Sequence, residues 1–370
     1  MPNYPTQPRI LFVTAEVAFV PAMAGNRPDY IGACSGCFGD FLAELITDLL
    51  NLGADVHVAQ PDYRELFKTL SHNILANPSI KLPIDQVHLA EDRAFFYSNT
   101  IKSNCEWENI KISLNFQREV INQIAPRVQP DLIHCHDWMT GLIPAAAKEY
   151  EIPCLFTVQN PDSARSMLCE VEDRGIDASA FWRHLFYDRF PGDYEETRDA
   201  NPLDFLLSGV LAAHYVSTPS FTLMSEIFES RSEFYNSPLR NLLAQKWKAG
   251  CAGVIPDSSN LPFNPASSEK LLDGFGSNEQ EVGTQKKNHV IRHRPFSFDE
   301  RSTAQRYIDL YETILQRPLV APESKKTPTI MKNSHTSISD GQSFPYQKAR
   351  QTHSDRIPNE RTLTPAMAPL

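Results

Sequence analysis

The chain has no apolar run approaching the ~20 residues that a membrane-spanning helix needs. It has no basic excess either: 45 acidic residues against 35 Lys and Arg leave a formal charge of -10. That balance argues against nucleic acid or an anionic membrane as the main partner. The opening Met-Pro-Asn-Tyr-Pro-Thr-Gln-Pro lacks the basic and apolar regions of a secretion signal. There is no internal repeat and no even cysteine set. The seven cysteines are scattered through strand-like and helix-like segments, which points to reduced thiols in a cytoplasmic protein. What is present is an ordinary globular share of hydrophobic residues, 41%, enough for a large core. Length alone suggests about two domains of ~150 residues. After Pro322, however, the chain is rich in Ser, Thr, Pro, Lys and Gln, and residues 321–370 read as a disordered tail.

The most informative stretch is Asp131-Leu-Ile-His-Cys-His-Asp-Trp-Met-Thr-Gly-Leu142. An apolar run rises to Cys135, a polar cluster follows at His136, Asp137 and Trp138, and a second apolar stretch continues to Lys148. This is the pattern of a buried parallel strand feeding a helix. Ligands of open α/β sheets sit outside the carboxyl ends of the strands, where that cluster falls.

The remaining segments fit the same architecture. Arg9–Val17 reads as a first buried strand ending at Glu16. A loop with Cys34, Gly36, Gly39 and Asp40 leads to a helix over Phe41–Leu50, whose apolar residues share one face. Gly53 ends that helix, and Asp55–Ala59 is a second strand, completing a β-loop-α-β unit. Phe95–Tyr97 reads as a strand, Leu114–Ile124 as helix and Cys154–Val158 as another buried strand. Helical insertions are expected from Asn160 to Pro202. A helix then covers Leu206–Tyr215, a strand end 216–220, a helix Phe221–Phe228 and a last strand Gly253–Pro256. Residues 266–296 are a polar linker. Ala304–Leu315 is an amphipathic helix stopped by Pro318, its Tyr307, Tyr311 and Ile314 serving as core packing. The predicted fold is α/β, a doubly wound Rossmann-like domain with a returning C-terminal helix.

Taken in order, these strand-end pieces resemble the N-terminal half of glycogen and starch synthases of the ADP-glucose type. The matching segments are Ile10–Val17, Gly36-x-x-Gly-Asp40, Gly53–Val58, Pro130–Leu142, Phe156-Thr-Val-x-Asn160, Ser217–Ser220, Gly253–Ile255 and Phe263–Ala266. The resemblance covers roughly residues 9–290 and resumes at Ser302–Glu312, which is similar to the family's final helix. It implies one half of a GT-B enzyme, in which two Rossmann-like domains face each other across a cleft. Such enzymes transfer glucose from ADP-glucose to an α-1,4-glucan with retention, and the resemblance implies no metal and no cofactor. Residues 1–265 would be the N-terminal domain, 266–296 a linker where the family carries its second domain, and 297–320 the helix that packs back.

The resemblance also assigns site positions. Cys34 stands where the family has the lysine of a Lys-x-Gly-Gly loop that neutralises the donor's diphosphate, and Cys37 replaces the second glycine. A thiol cannot supply that cation, and a Cβ at position 37 hinders backbone approach to phosphate. Gln159 stands where the family has the histidine that lies against the transferred glucose; glutamine hydrogen-bonds but shuttles no proton. Glu16, Gly36, Gly39, Asp40, His136, Asp137, Trp138 and Asn160 are the other candidates, with Asp137 and Gln159 as the catalytic positions. Asp137 and Trp138 read first as a helix cap and a core ring, useful whether or not sugar binds, and otherwise as a sugar-facing wall. Glu16 reads as ligand-facing or as a buried strand end. Cys34 and Cys37 read as drift, as a redox pair at a helix start, or as zinc ligands with His136 or Cys135. The function read from this pattern is a catalytically impaired family member. The alternatives are a glucan-binding or regulatory partner of a full-length synthase, and a thiol-responsive protein. Loss of the facing domain would also favour self-association through an uncovered apolar face.

Overall fold

The computed structural model describes residues 7–21, 30–33, 37–64, 66–67, 84–98, 100–221, 223–224, 227, 237–256 and 302–316. The expected linker at 266–296, the tail at 321–370, and Cys34 and Gly36 lie outside these residues.

In chain order the main elements are β1 (Arg9–Val13), β2 (Val17–Pro21), β3 (Tyr30–Ala33), α1 (Cys37–Asn51), β4 (Asp55–Pro61), β5 (Val87–Ala90), α2 (Arg93–Phe96) and α3 (Glu106–Glu119). There follow β6 (Leu132–His136), α4 (Ile143–Glu149), β7 (Cys154–Thr157), α5 (Phe205–Ala212), β8 (Tyr215–Thr218), α6 (Ser237–Lys248), β9 (Ala252–Val254) and α7 (Thr303–Gln316). Seven strands form one sheet in the order β9-β8-β7-β6-β1-β4-β5, and every pair in it is parallel. The doubly wound reading therefore holds. All five residues of β6 are buried, so this strand is covered on both faces.

The registers place Phe12, Val58 and His134 side by side on one face. That face is completed by α7, which buries Ala304, Tyr307, Tyr311 and Ile314 and packs beside α1. A chain of hydrogen bonds runs beneath it. The Tyr311 hydroxyl lies 2.9 Å from His134 Nδ1, His134 Nε2 lies 2.7 Å from Thr157 Oγ1, and Thr157 Oγ1 lies 2.7 Å from Ser217 Oγ. All four side chains are buried. Burial holds the His134 imidazole neutral, its pKa well below the ordinary value. A neutral imidazole has one donor and one acceptor nitrogen, and this chain uses both.

Glycine is required by geometry at positions 53 and 141, among others. Gly53, at φ +84, ends α1 with its N–H on Leu50 O at 2.9 Å. Gly141 sits so close to α5 that a Cβ there would lie 2.0 Å from Phe205 O.

Several elements differ from the sequence reading. β1 stops at Val13, and the chain then turns into an antiparallel pair, β2 with β3, which no period-2 run announced. Phe95–Tyr97 is helical, not extended. Asp92 caps that turn by accepting from Ala94 N at 2.7 Å, and this local bond overrides the strand preference of two phenylalanines. The edge strand β5 was missed because it is four residues long and contains His88. The helix expected at Leu114–Ile124 begins at Glu106 and widens into a π-turn at Val120–Ile124, just before Pro126, whose nitrogen has no proton for the helical ladder. α5 ends at Ala212, so Tyr215 belongs to β8. Within 160–202, beside the expected helices, Arg165–Ser166 and Phe186–Tyr187 pair with Leu203–Asp204 in a small second sheet.

At the sheet edge, His57 Nδ1 and His88 Nε2 lie 2.9 Å apart with nearly parallel rings. Burial lowers both pKa values, that of His88 to about 4, helped there by the His57 and Arg127 charges. Asp55 and Asp85 oppose the shift, and Arg9 supports it at His57. Groups depressed on folding stabilise the protein above the unfolded histidine pKa of ~6.5 and lose that contribution as pH falls toward 4. Urea melts between pH 7 and 4 should show a loss on the order of 1–2 kcal/mol, limited by screening at the edge, and His88→Gln should flatten it. Tyr311→Phe should cost about 1–3 kcal/mol at neutral pH, because His134 Nδ1 is left buried without its partner.

Candidate functional site

The carboxyl ends of β1 and β6 and the loop before α3 enclose a pocket lined by Thr14, Ala15, Glu16, Lys102, His136, Asp137, Trp138 and Met139. Each wall is held by its own local bonds. After β1, Thr14 Oγ1 donates to Glu16 O at 2.7 Å and so bends the chain outward at the strand end. Glu16 itself is only 7% exposed. After β6, Asp137 adopts φ 57 and ψ 178, a region that L-residues avoid at a cost of about 1–3 kcal/mol.

That strained turn is pinned from several sides. Thr140 Oγ1 donates to His136 O and Asp137 O, both at 3.0 Å. From α3, Ser113 Oγ donates to Met139 O at 3.1 Å, and Gln117 Oε1 accepts from Leu142 N at 2.7 Å. Gln117 Nε2 in turn donates to Ser113 Oγ at 2.9 Å. These polar groups on α3 are buried because they satisfy the backbone of the turn.

Asp137 reaches sideways to β7. Its Oδ1 accepts from Gln159 N at 2.8 Å, and the Asn160 N–H also favours its ionised form. The helix-cap reading is thus corrected: no side-chain cap bond to the following turn exists. Burial pushes the Asp137 carboxyl up to about 7. The two backbone N–H groups and the Lys102 charge pull it down, and Glu16 adds a smaller push upward.

His136 stacks on Phe12 at 5.7 Å between ring centres and lies 4.1 Å from His134. Burial takes its pKa down to about 3, so it is neutral at physiological pH. Trp138 lines the pocket but is 6% exposed and packs on Phe205 at 6.1 Å. The Gln159 side-chain nitrogen is buried with no acceptor. Asn160 turns its side chain away, Oδ1 accepting from Asp162 N at 2.9 Å. Gly39 is buried and Asp40 exposed in the first turn of α1, and neither lines this pocket. Thus the structure gathers Glu16, His136, Asp137 and Trp138 around the pocket, with Gln159 and Asn160 bonded to Asp137 by their backbone.

Sequence reasoning missed Thr14, Met139 and Lys102. A single lysine in a polar loop carries no signal of where it points. Among the described residues no group of three potential ligands could hold a metal ion. Cys135 and Cys154, on adjacent strands, are buried with their sulfurs 3.8 Å apart. No described helix is long and apolar enough to cross a membrane.

A carboxyl whose pKa is raised on folding contributes its full advantage to the native state only below the unfolded pKa, where it is protonated in both states. That advantage is lost as pH rises from about 4 to about 7. Asp137→Asn should therefore gain stability relative to the parent by on the order of 2–4 kcal/mol between pH 4 and 8. Urea melts at both pH values check this; a pH-independent difference would assign the titration elsewhere.

Residues 9–245 match the family described as the starch synthase catalytic domain. A glycogen synthase from Alkaliphilus metalliredigens is 25% identical over 272 residues, covering 66% of this chain and 53% of that protein. Glycogen synthase 2 from Geobacter metallireducens is 26% identical, with 66% and 54% covered. A glycogen synthase from Nitrosomonas europaea is 24% identical, with 80% and 60% covered. The solved catalytic domain of starch synthase IV from Arabidopsis thaliana, bound to ADP and acarbose, aligns at 17% identity and a TM-score of 0.48. It covers 75% of this chain and 61% of that one. The chain spans about half to three-fifths of the length of the curated relatives it matches. With the family match running through the β1 and β6 ends that line the pocket, the chain belongs to the starch synthase catalytic domain family.

Proposed function

We propose that this chain is a catalytically impaired member of the glycogen and starch synthase family that retains the acceptor-side half of the enzyme. On this reading the pocket faces a sugar, the ligands are α-1,4-glucan and ADP-glucose, and residues 266–296 take the place of a second Rossmann-like domain between β9 and α7. The observation that carries the reading is the Asp137–Gln159 pair. Asp137 is held at the pocket by the Gln159 N–H at 2.8 Å, so the site keeps its shape at the position where the resemblance puts a histidine. The side chain at that position is an amide, which carries no charge and moves no proton. Such a group is ordinarily worth ~10²–10⁴ in rate. Cys34 removes a cation from the same donor-side machinery.

What remains is recognition. Buried carboxylates at strand ends accept sugar hydroxyls, and Trp138 offers an apolar edge beside them. The chain therefore holds glucan without efficient transfer. Its role is that of a binding or regulatory partner, with a full-length synthase as the natural companion.

The test is glucose transfer from ADP-glucose to glycogen by the purified chain, with glycogen co-sedimentation on the same sample. Co-sedimentation with transfer at background is the expected result. Transfer well above background would overturn the impairment, and absence of both signals would overturn the glucan reading.

A further inference from the structure

At the amino ends of β7 and β8, the end of the sheet away from the pocket, three basic side chains gather that the sugar reading does not use. Lys148 comes from the last turn of α4, Lys246 from the last turn of α6, and His214 directly precedes β8. All three are half-buried.

His214 is fixed by Cys154 at the start of β7. Its backbone N–H donates to Cys154 O at 2.9 Å, and its Nδ1 accepts from Cys154 N at 3.0 Å. With Nδ1 an acceptor, the ring proton sits on Nε2, a donor with no acceptor among the described residues. Burial, then the Lys148 and Lys246 charges, takes the His214 pKa down to about 4, so the ring is neutral. Lys246 Nζ donates to Ala213 O at 2.5 Å, which anchors the amine at the residue before His214. Neither lysine has a carboxylate within 4 Å among the described residues, and Glu149 is bonded to His184 Nε2 at 3.1 Å.

Like charges crowded together out of water and without a counter-ion shed a proton. Lys246 is the group that does so. Burial first, and the Lys148 charge second, bring its amine down to about 8, against the opposite pull of Cys251 and Cys154. A share of Lys246 is therefore a free amine near neutral pH, and a free amine is a nucleophile. The neighbours that keep it neutral would also stabilise an anion built on the same nitrogen.

We propose that Lys246 is a carbon dioxide acceptor, its Nζ adding to CO2 to give a carbamate whose carboxylate is met by the Lys148 ammonium and the His214 Nε2–H. The amine's electron pair forms the N–C bond, one C–O π bond opens onto oxygen, and one amine proton leaves to solvent. The carbamate nitrogen keeps a proton, which still donates to Ala213 O. CO2 is small and uncharged, so it enters a site that repels cations. The modification converts a like-charged cluster into a paired one and stabilises the fold. It is independent of the sugar reading.

The full chain, equilibrated with carbon-13-labelled bicarbonate at pH 8, is treated with a trialkyloxonium salt, which alkylates a carbamate oxygen to a stable ester, and mapped by peptide mass spectrometry. Lys248, exposed on the same helix, is the internal reference. A labelled ester is expected at Lys246 at about tenfold or more the Lys248 yield, because its lowered pKa leaves more free amine. Lys148→Met should cut the Lys246 yield several-fold, since the amine regains its proton and the carbamate loses its partner. At matched pH and ionic strength, bicarbonate should raise the melting temperature of the parent but not of Lys246→Arg, which keeps the charge and cannot form the adduct. No ester at Lys246, or a yield equal to that of Lys248, overturns the proposal. Stabilisation by bicarbonate without an ester also overturns it, since the cluster would then hold an ion and form no bond. An unchanged yield in Lys148→Met removes Lys148 from the site.

Discussion

The structure depends on how β6 satisfies a polar side chain while buried on both faces. His134 sits at the middle of the central strand, and each ring nitrogen needs a partner. One comes from Tyr311 on the last described helix, the other from Thr157 on the neighbouring strand. Nothing in the β-loop-α-β units supplies the first partner. An element separated from β6 by more than 160 residues of sequence must return to provide it, which makes α7 part of the same core as β1 and β4. The aromatic surface of Tyr307 and Tyr311 then covers His134, at 5.3 and 5.8 Å between ring centres.

The pocket inherits its geometry from that closed core. β1, β6 and β7 end together because their registers are fixed along the sheet. The chain leaving β6 can then place Asp137 in a backbone conformation it would not otherwise choose. Buried bonds from α3 and Thr140 hold that turn, and Asp137 spans to the end of β7. The carboxyl that results is buried enough to titrate near neutrality. Lys102 is then a counter-charge on a loop that α3 braces through Asn109 and Ser103. In the proposed function, recognition rests on this backbone and packing, while positions 34 and 159, where the resemblance puts a lysine and a histidine, carry a thiol and an amide.

The fold was legible where the sequence was regular. The apolar runs of β1, β4, β6 and β7 and the one-sided face of α7 give strand and helix without ambiguity, and the order of strand-end motifs gives the family. It was illegible where a local bond outvotes propensity. Asp92 turns Phe95 and Phe96 into helix, and Thr14 bends the chain after Val13, though neither apolar pattern changes. At the site, the residues at strand ends could be read because a strand's end is visible in its pattern. Lys102 could not be read, since its position depends on Asn109 and Ile101 fixing a loop that has no pattern. Asp137 was half legible: its place was evident, but its partner on β7 depends on register.

The most direct test of this account is native-state hydrogen exchange on β6 and β7, comparing the chain with Tyr311→Phe. If the Tyr311–His134–Thr157 chain holds the central strands under α7, the substitution lowers protection at the amides of 132–136 and 154–157 together, while those of the small second sheet around 165 and 203 keep theirs. Unchanged protection on β6 and β7 would contradict it, and would mean that α7 is an accessory covering and not a structural member of the core.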